Sequence, residues 1–313
     1  MLCYTSEKVK YAAENQSFNP NNPMQTTATA NFLQSGDRPS GRDVKLLVLD
    51  IDGTIAGVSN QITDPVKQTI AAVQAQGIQV AIATGRMYRS ALRFHQEIGS
   101  PLPLICYQGA YIKDPETDNL HYHAPLCQQI ALDLLNDFED PTVRSQLTVN
   151  CYIDDCLYVR EITPASQAYS ERTGVPAIAP EDLGELVTRC PPTKVLAMSQ
   201  NTGLIDELLA NAACRYTPQQ VYLTKSHTTF FEAGNPEVNK GAAVRYLAEE
   251  MLGLHPTQVM TIGDNFNDLE MLQYGGISVA MGNAPAQVQA AATWVTSDVE
   301  CDGVAAAIEE FLL

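Results

Sequence analysis

The sequence predicts an α/β fold in which a Rossmann-like parallel-sheet core carries an inserted α+β domain. Three observations lead to this prediction. Apolar runs alternate with helical segments over residues 44–110, short strands fill residues 111–222, and the first pattern returns over residues 223–313. Alternating strands and helices are typical of a parallel sheet with right-handed crossovers, and the change of pattern in the middle indicates an insertion.

The first part of the core begins with a continuous apolar run, LLVL, over residues 46–49. Such a run predicts a strand that is buried on both faces of a parallel sheet. Asp64-Pro65 then supplies an N-cap and a first-turn proline, and the helix that they open ends at Gly77. The elements expected next are a strand over 78–83, a helix over 87–98 and a strand over 104–107.

The inserted segment and the second part of the core are predicted in the same way. Within the insertion, Asp154-Asp155 forms the expected hairpin turn between strands over 148–152 and 156–160. Helices are expected near residues 128–137, 164–173 and 203–213. After the insertion we expect a helix over 239–251 and strands over 259–262, 277–280 and 294–295.

Residues 1–43 differ in composition from the rest of the chain. They are rich in Asn, Gln, Ser, Thr and Pro and show no sustained apolar period. Such a segment buries too little apolar surface to offset the entropy of ordering. We therefore expect a disordered extension at the N-terminus.

The bulk composition excludes several classes of partner. The 313 residues carry a formal net charge of −17, with a sequence pI of about 4.6. This balance argues against nucleic acid and against an anionic membrane surface, because both require clustered Lys and Arg. None of the eight cysteines forms a C-x-x-C pair, and no secretory core or membrane-length apolar run is present. We expect reduced thiols in a cytoplasmic protein.

Four polar clusters are each expected at the end of an apolar strand. Ligands of open parallel sheets bind outside the carboxyl ends of the strands. The first is Asp50-Ile51-Asp52-Gly53-Thr54, directly after the 46–49 strand. Its two carboxylates reach one reaction centre if the chain turns sharply, as Gly53 permits. Taken alone, the cluster is also compatible with a solvated corner between strand and loop.

The second and third clusters contain groups that are suited to binding anions. Thr84-Gly85-Arg86 follows the 78–83 strand, where a hydroxyl and backbone N–H groups at a helix start suit phosphate. A simple N-cap would give the same pattern. Lys240-Gly241 lies near the start of the 239–251 helix, although a lone lysine is most often a solvated surface charge.

The fourth cluster, GDNFND over residues 263–268, follows the 259–262 strand. Its carboxylate and amide oxygens suit a hard cation such as Mg²⁺. An acidic loop that caps a helix would look similar.

These four clusters, in this order, resemble the four motifs of the haloacid dehalogenase-like superfamily. Their details resemble its Cof-type, subclass IIB phosphatases, with further similarity in residues 280–284 (AMGNA) and 302–304 (DGV). The resemblance covers residues 44–313. One position departs from the family pattern: Gln108-Gly109-Ala110 stands where the family usually has Asn-Gly-Ala.

The resemblance implies Mg²⁺-dependent hydrolysis of small phosphorylated metabolites, such as sugar phosphates, through an aspartyl-phosphate. Asp50 is expected to attack phosphorus, and Asp52 to protonate the leaving group and then deprotonate water. A carboxylate that attacks a phosphate dianion meets like-charge repulsion, which a cation relieves. The implied Mg²⁺ ligands are the carboxylates of Asp50 and Asp264 and the backbone carbonyl of Asp52.

The remaining site residues are also assigned by resemblance. Thr84, the N–H of Gly85, Lys240 and the amide of Asn267 are expected to bind the phosphoryl oxygens. Asp268 is expected to orient the ligating groups from behind. The inserted segment corresponds to the cap of subclass IIB, which is expected to select the substrate.

Two alternatives stay open at this point. A phosphohexomutase of similar fold would also need both Asp50 and Asp52. A non-catalytic phosphate-binding protein would be expected to lack at least one motif residue, and none is missing. The expected partner in every case is a small phosphate ester, with neither nucleic acid nor membrane involved.

Overall fold

The structure is a computed structural model, and it describes residues 43–313. The disordered extension predicted for residues 1–43 lies outside the described residues, apart from Asp43. Within the described part of the chain, no helix is both long enough and apolar enough to cross a membrane.

The strands, in chain order, are β1 (Leu46–Leu49), β2 (Gln79–Ile82), β3 (Leu104–Cys106), β4 (Tyr111–Lys113), β5 (Leu120–His123), β6 (Thr148–Ile153), β7 (Cys156–Val159), β8 (Ala177–Ile178), β9 (Lys194–Met198), β10 (Tyr222–Thr224), β11 (Phe230–Gly234), β12 (Val259–Gly263), β13 (Ile277–Ala280) and β14 (Trp294–Val295). The helices are α1 (Asp64–Ala75), α2 (Tyr88–Glu97), α3 (Gln128–Phe138), α4 (Pro164–Thr173), α5 (Leu183–Arg189), α6 (Thr202–Arg215), α7 (Lys240–Arg245), α8 (Leu269–Tyr274), α9 (Ala286–Ala291) and α10 (Gly303–Phe311). A π-helix, Tyr246–Met251, continues α7.

A parallel five-stranded sheet forms the core, in the order β14-β13-β12-β1-β2. Strand β1 lies between β12 and β2, with Leu46 opposite both Val259 and Gln79. All four residues of β1 are fully buried, as the apolar run predicted. The residue that follows β1 therefore emerges at the C-terminal edge of the sheet, where ligands of such sheets bind.

The cap is a second, mainly antiparallel sheet of six strands, in the order β10-β11-β9-β6-β7-β8. One face packs on helices and forms a hydrophobic cluster of its own, in which Phe138 meets Phe231 edge to face at 5.4 Å. Tyr152, Leu157 and Leu196 instead join the hydrophobic cluster of the core. The predicted α/β core with an inserted α+β cap is confirmed as the fold class.

The junctions between core and cap show two differences from the expected elements. Strand β3 pairs antiparallel with β4, and an isolated bridge between Ala83 and Ile105 links it to the parallel sheet. Strand β11 belongs to the cap sheet although it follows residue 222. The predicted segment limits remain a proposal, and the pairing of β11 favours a second limit near Gly234.

Candidate active site

Asp50 occupies the edge of the core sheet directly after β1. Its N–H donates to the carbonyl of Ile262 in β12 (3.1 Å), which fixes the backbone between two strands. The carboxylate is buried and lies 2.7 Å from the ammonium of Lys240. Burial is the main cause that raises the pKa of Asp50 above its ordinary value, and Lys240 offsets part of the shift.

Lys240 is fully buried at the start of α7. Its ammonium also lies 2.6 Å from Asp268, so it bridges two carboxylates. Burial alone would lower the pKa of Lys240, but Asp268 and Asp50 outweigh that effect and raise the pKa. The lysine is therefore a buried cation of the site and not the surface charge that a lone lysine usually is.

Three carboxylates converge at this edge, because oxygens of Asp50, Asp264 and Asp268 all lie within 4.8 Å of one another. Asp268 is held in place by the N–H groups of Asp264 (2.9 Å) and Asn265 (3.0 Å). Burial, together with Asp268 and Asp50, raises the pKa of Asp264. Three buried carboxylates face a single ammonium, and such an imbalance suits a divalent cation with a preference for oxygen ligands.

The turn after Asp50 brings the chain against Asp264. Gly53 has a φ of +81°, and a Cβ there would lie 2.2 Å from a carboxylate oxygen of Asp264. Thr54 donates to Asp264 (3.1 Å), and Asn283 donates to the carbonyl of Gly53 (2.9 Å). Asn283 was not among the predicted site residues, since only the tertiary structure shows that it supports this turn.

The structure does not bring the carboxylate of Asp52 into the acidic cluster. Arg86 donates to both of its oxygens, at 2.7 and 2.6 Å, and the side chain is half exposed. Burial acts to raise the pKa of Asp52, but the hydrogen bonds and charge of Arg86 prevail and lower it. Asp52 thus lies at the cavity in an ion pair, beside Asp50 but apart from the cation site.

Thr84 and Gly85 follow β2, as predicted, and Thr84 is fully buried. Its hydroxyl accepts from the N–H of Arg86 (3.2 Å). The helix expected to present N–H groups to phosphate begins only at Tyr88. The N–H groups of Tyr88 and Arg89 instead donate to Asp155 of the cap, at 3.0 and 3.1 Å.

Asn267 is buried, as expected of a residue inside the site. Its amide donates to the side-chain oxygen of Gln108 (3.1 Å). Gln108 was noted from the sequence only as a departure from a family pattern. The structure places it among the predicted site residues.

A cavity of about 110 Å³ lies between the core and the cap. Asp50, Asp52 and Asn267 line it from the core. The cap wall includes three aromatic side chains and two cations: Tyr169, Phe230, His227, Arg172 and Lys194.

Lys194 joins the cap to the core at this cavity. It pairs with Glu232 (2.8 Å) and donates to the carbonyl of Gly85 (3.1 Å). Sequence reasoning named none of these cap residues. Strands β9 and β11, which carry Lys194 and Phe230, had not been predicted, and the pattern of the predicted helix α4 does not show that Tyr169 and Arg172 line the cavity.

Comparison with known proteins agrees with this geometry. A model of the family "haloacid dehalogenase-like hydrolase" matches residues 47–308. The 5-amino-6-(5-phospho-D-ribitylamino)uracil phosphatase YitU of Bacillus subtilis is 27% identical over 269 residues, which cover 85% of this chain and 97% of that protein.

Solved structures are similar over the same extent. A haloacid dehalogenase-like hydrolase from Bacteroides thetaiotaomicron is 26% identical, with a TM-score of 0.74 and coverage of 85% of this chain and 99% of that one. The subclass IIB sugar phosphatase BT4131 shares the fold at 21% identity, with a TM-score of 0.72 over 86% of this chain and 99% of that one.

The family match covers most of the described chain, and the motif residues lie together at one edge of the sheet. The non-catalytic alternative is therefore set aside, because both the matched family and the named relative are enzymes. The chain belongs to the haloacid dehalogenase-like hydrolases, as its motifs predicted, and is a hydrolase of the phosphatase class.

Proposed function

We propose that this chain hydrolyses phosphate monoesters of small metabolites, with Mg²⁺ as its cofactor and with Asp50 as the nucleophile. The observation that carries the proposal is the buried cluster of Asp50, Asp264 and Asp268 around Lys240 at the end of the central strand. Burying several carboxylates is costly unless a bound cation offsets their negative charge.

The residues of the cluster fit a bound Mg²⁺. We assign its protein ligands to the carboxylates of Asp50 and Asp264 and to the backbone carbonyl of Asp52. When bound, the ion offsets the negative charge between the attacking carboxylate and the phosphoryl group. Asp268 orients these ligands through its hydrogen bonds to the N–H groups of Asp264 and Asn265.

The reaction needs two displacements at phosphorus. A carboxylate oxygen of Asp50 attacks phosphorus, and the bond to the ester oxygen breaks as Asp52 donates a proton to it. Water then attacks the same phosphorus while Asp52 takes its proton. Inorganic phosphate leaves, and the Asp50 carboxylate is restored. Arg86 must release at least one oxygen of Asp52 during this cycle.

The phosphoryl oxygens need donors throughout both steps. We assign this role to Thr84, the N–H of Gly85, the amide of Asn267 and Lys240. Lys240 already holds Asp50 at 2.7 Å, so it both fixes the nucleophile and balances charge close to the phosphoryl group.

The rest of the substrate faces the cap. Tyr169 and Phe230 pack edge to face at 6.2 Å, and they offer an apolar wall for a ring or carbon chain. Arg172 is exposed beside them, and within the described residues its guanidinium makes no hydrogen bond or ion pair. We propose that the cap selects the leaving group, with Arg172 free to bind an anionic substituent. A cytoplasmic location stays a prediction.

The test compares purified full-length protein with Asp50→Asn in the hydrolysis of p-nitrophenyl phosphate. Mg²⁺ should support turnover and excess EDTA should abolish it. Asp50→Asn should lose at least ~10³-fold in kcat, the scale seen when nucleophiles are removed. Asp206→Asn, an exposed carboxylate paired with Lys225 on the cap, is the matched control and should keep full turnover.

Two results would contradict the proposal. Full turnover in EDTA would exclude the metal, and wild-type turnover by Asp50→Asn would exclude covalent catalysis at this residue. A hexose phosphate should be hydrolysed and not isomerised when a hexose bisphosphate is added. Isomerisation without net phosphate release would favour the phosphohexomutase.

A further inference from the structure

Gln108 has an unusual backbone conformation for its residue type. The turn after β3 carries positive φ at three successive residues: Tyr107 at 51°, Gln108 at 61° and Gly109 at 101°. Left-handed backbone favours Gly and Asn and disfavours residues with longer side chains. Such a conformation persists only where surrounding contacts impose it, and it is often found at functional sites.

The contacts that impose it surround Gly85. The N–H of Tyr107 donates to the carbonyl of Arg86 (2.9 Å), and the N–H of Gln108 donates to the carbonyl of Thr84 (3.0 Å). The turn is thereby tied to the residues on both sides of Gly85. A Cβ on Gly85 would lie only 2.4 Å from the side-chain nitrogen of Gln108, so this amide packs directly on the glycine.

The amide of Gln108 is only half satisfied. Its oxygen accepts from Asn267, but within the described residues its nitrogen has no hydrogen-bond partner, although the side chain is 3% exposed. The side-chain oxygen of Asn267 lacks a partner in the same part of the chain. Exchanging nitrogen and oxygen in both amides would move the unpaired donor to Asn267 and leave Gln108 with an unpaired oxygen. In the orientation given above, the unpaired donor belongs to Gln108.

A buried donor without a partner is unfavourable unless a ligand completes it. The side chain of Gln108 packs on Gly85 and is hydrogen-bonded to Asn267, two residues to which phosphoryl binding is assigned above and which line the cavity at Asp50. An amide nitrogen adds a hydrogen bond to a phosphoryl oxygen without changing the charge of the site.

We propose that Gln108 binds the substrate: its side-chain nitrogen donates to an oxygen of the transferring phosphoryl group, while its oxygen orients the amide of Asn267. The inference rests on the proposed function and adds a donor that the motif residues do not include. It also explains why a residue poorly suited to left-handed backbone occupies this turn.

A purely structural role of Gln108 predicts the opposite result for substitution of this residue by Asn. If Gln108 only shaped the turn, Gln108→Asn would be at least as good, because Asn adopts left-handed backbone more readily. Its amide, however, is one methylene shorter and cannot reach as far over Gly85. Stability and phosphate binding should therefore move in different directions.

The experiment measures melting temperature, the affinity for inorganic phosphate by titration calorimetry with Mg²⁺, and kcat and KM for p-nitrophenyl phosphate. Gln108→Asn should melt at or above the wild-type temperature but bind phosphate at least tenfold more weakly. Gln108→Met, which keeps length but has no amide, should lose phosphate affinity to the same degree. Gln108→Glu should lose most, because it places a negative charge beside the phosphoryl oxygens.

Thr261→Val is the matched control. The Thr261 hydroxyl is also buried without a partner among the described residues, but it faces Gly275 and not Gly85. This variant should leave phosphate affinity unchanged.

Phosphate affinity within twofold of wild type in both Gln108→Asn and Gln108→Met would overturn the inference while leaving the proposed function intact. The calorimetric titration requires no turnover, so phosphate binding by Gln108 is tested even if the wild-type protein hydrolyses no substrate. A wild-type protein that binds no phosphate would overturn the inference as well. If only Gln108→Met misfolds, the phosphate affinity of Gln108→Asn decides the outcome.

Discussion

The core and the cap present different kinds of side chain to the same cavity. On the core side, Lys240 joins Asp50 to Asp268, and Asp268 holds the loop that carries Asp264. These groups are buried and are bonded mainly to one another. On the cap side, Arg172 is exposed and makes no hydrogen bond or ion pair with its guanidinium in the described chain.

This difference indicates a division of labour. The core groups are positioned by bonds that exist before a substrate arrives, so they cost little reorganisation when the reaction proceeds. In the cap, Arg172 keeps its hydrogen-bonding capacity for the part of the substrate that differs between metabolites, whereas Lys194 is already paired with Glu232. Substitutions in the core should therefore affect stability and chemistry together, whereas substitutions in the cap wall should affect the choice of substrate.

The largest effect is expected for Lys240→Met. Removing this ammonium leaves Asp50 and Asp268 as buried carboxylates without their cation. Breaking a buried ion pair in this way lowers the free energy of unfolding by ~3–5 kcal/mol. Urea denaturation in EDTA, where no metal compensates, is the measurement.

Lys67→Met is the control for the loss of a lysine that bridges two carboxylates. Lys67 contacts Asp64 and Glu97 near the surface, where such pairs contribute ~0–1 kcal/mol. Equal destabilisation by the two variants would show that the buried cluster of the core is no more tightly bonded than a surface pair.

An intermediate effect is expected at the contact between the two regions. The carboxylate of Asp155 accepts from the first N–H groups of α2 and from the hydroxyl of Tyr107 (2.8 Å). It therefore caps a helix of the core from a hairpin of the cap. Asp155→Ala should lower the free energy of unfolding by ~1–2 kcal/mol, as loss of an N-cap does.

Asp154→Ala controls for the backbone in this prediction. Asp154 has φ of 50° and Asp155 has φ of 53°, so alanine is equally disfavoured at both positions. Asp154 is exposed and makes none of the contacts to α2. If thermal denaturation shows the same loss for both variants, the carboxylate of Asp155 does not connect cap and core.

The smallest effect is expected in the cap wall. Arg172→Met should reduce kcat/KM by roughly tenfold, or about 1.4 kcal/mol, for a hexose bisphosphate, whose second phosphate the guanidinium would bind. It should leave kcat/KM for p-nitrophenyl phosphate unchanged, because that leaving group has no anionic substituent. Steady-state kinetics with both substrates is the measurement.

Arg189→Met removes the same charge from an exposed position of the cap, where Arg189 pairs with Glu185. This variant should leave kcat/KM unchanged for both substrates, which would exclude an effect of net charge alone. A similar loss for both substrates in Arg172→Met would assign Arg172 to the common phosphoryl group and remove the distinction between core and cap.

Local sequence patterns correctly predicted those elements whose burial or backbone geometry depends only on neighbouring residues. The apolar run of β1, the proline-led helix α1 and the hairpin turn at Asp154-Asp155 are all found where the sequence predicted them. Each depends on a few neighbouring residues: a strand buried on both faces, a proline at the helix start and two residues in left-handed backbone. The N-cap of α1 is Thr63, one residue before the predicted Asp64.

The same patterns did not predict strands that form only by pairing with distant segments of the chain. The short strands β4, β5, β9 and β11 were not predicted, because their hydrogen bonds come from distant segments and not from a local period. Strand β9, for example, lies between β6 and β11. For this reason Lys194 on β9 and Phe230 on β11 could not be named from the sequence as residues that line the cavity.

The sequence by itself determined the α/β core, the presence of an insertion and the identity of the polar residues at the strand ends. Only the tertiary structure decided their partners. It placed Lys240 between Asp50 and Asp268, bound Asp52 to Arg86 and set the amide of Gln108 over Gly85. The physical reason is that burial follows from the local period of apolar residues, whereas ion pairs and hydrogen bonds depend on distances between atoms that the chain brings together only when it folds.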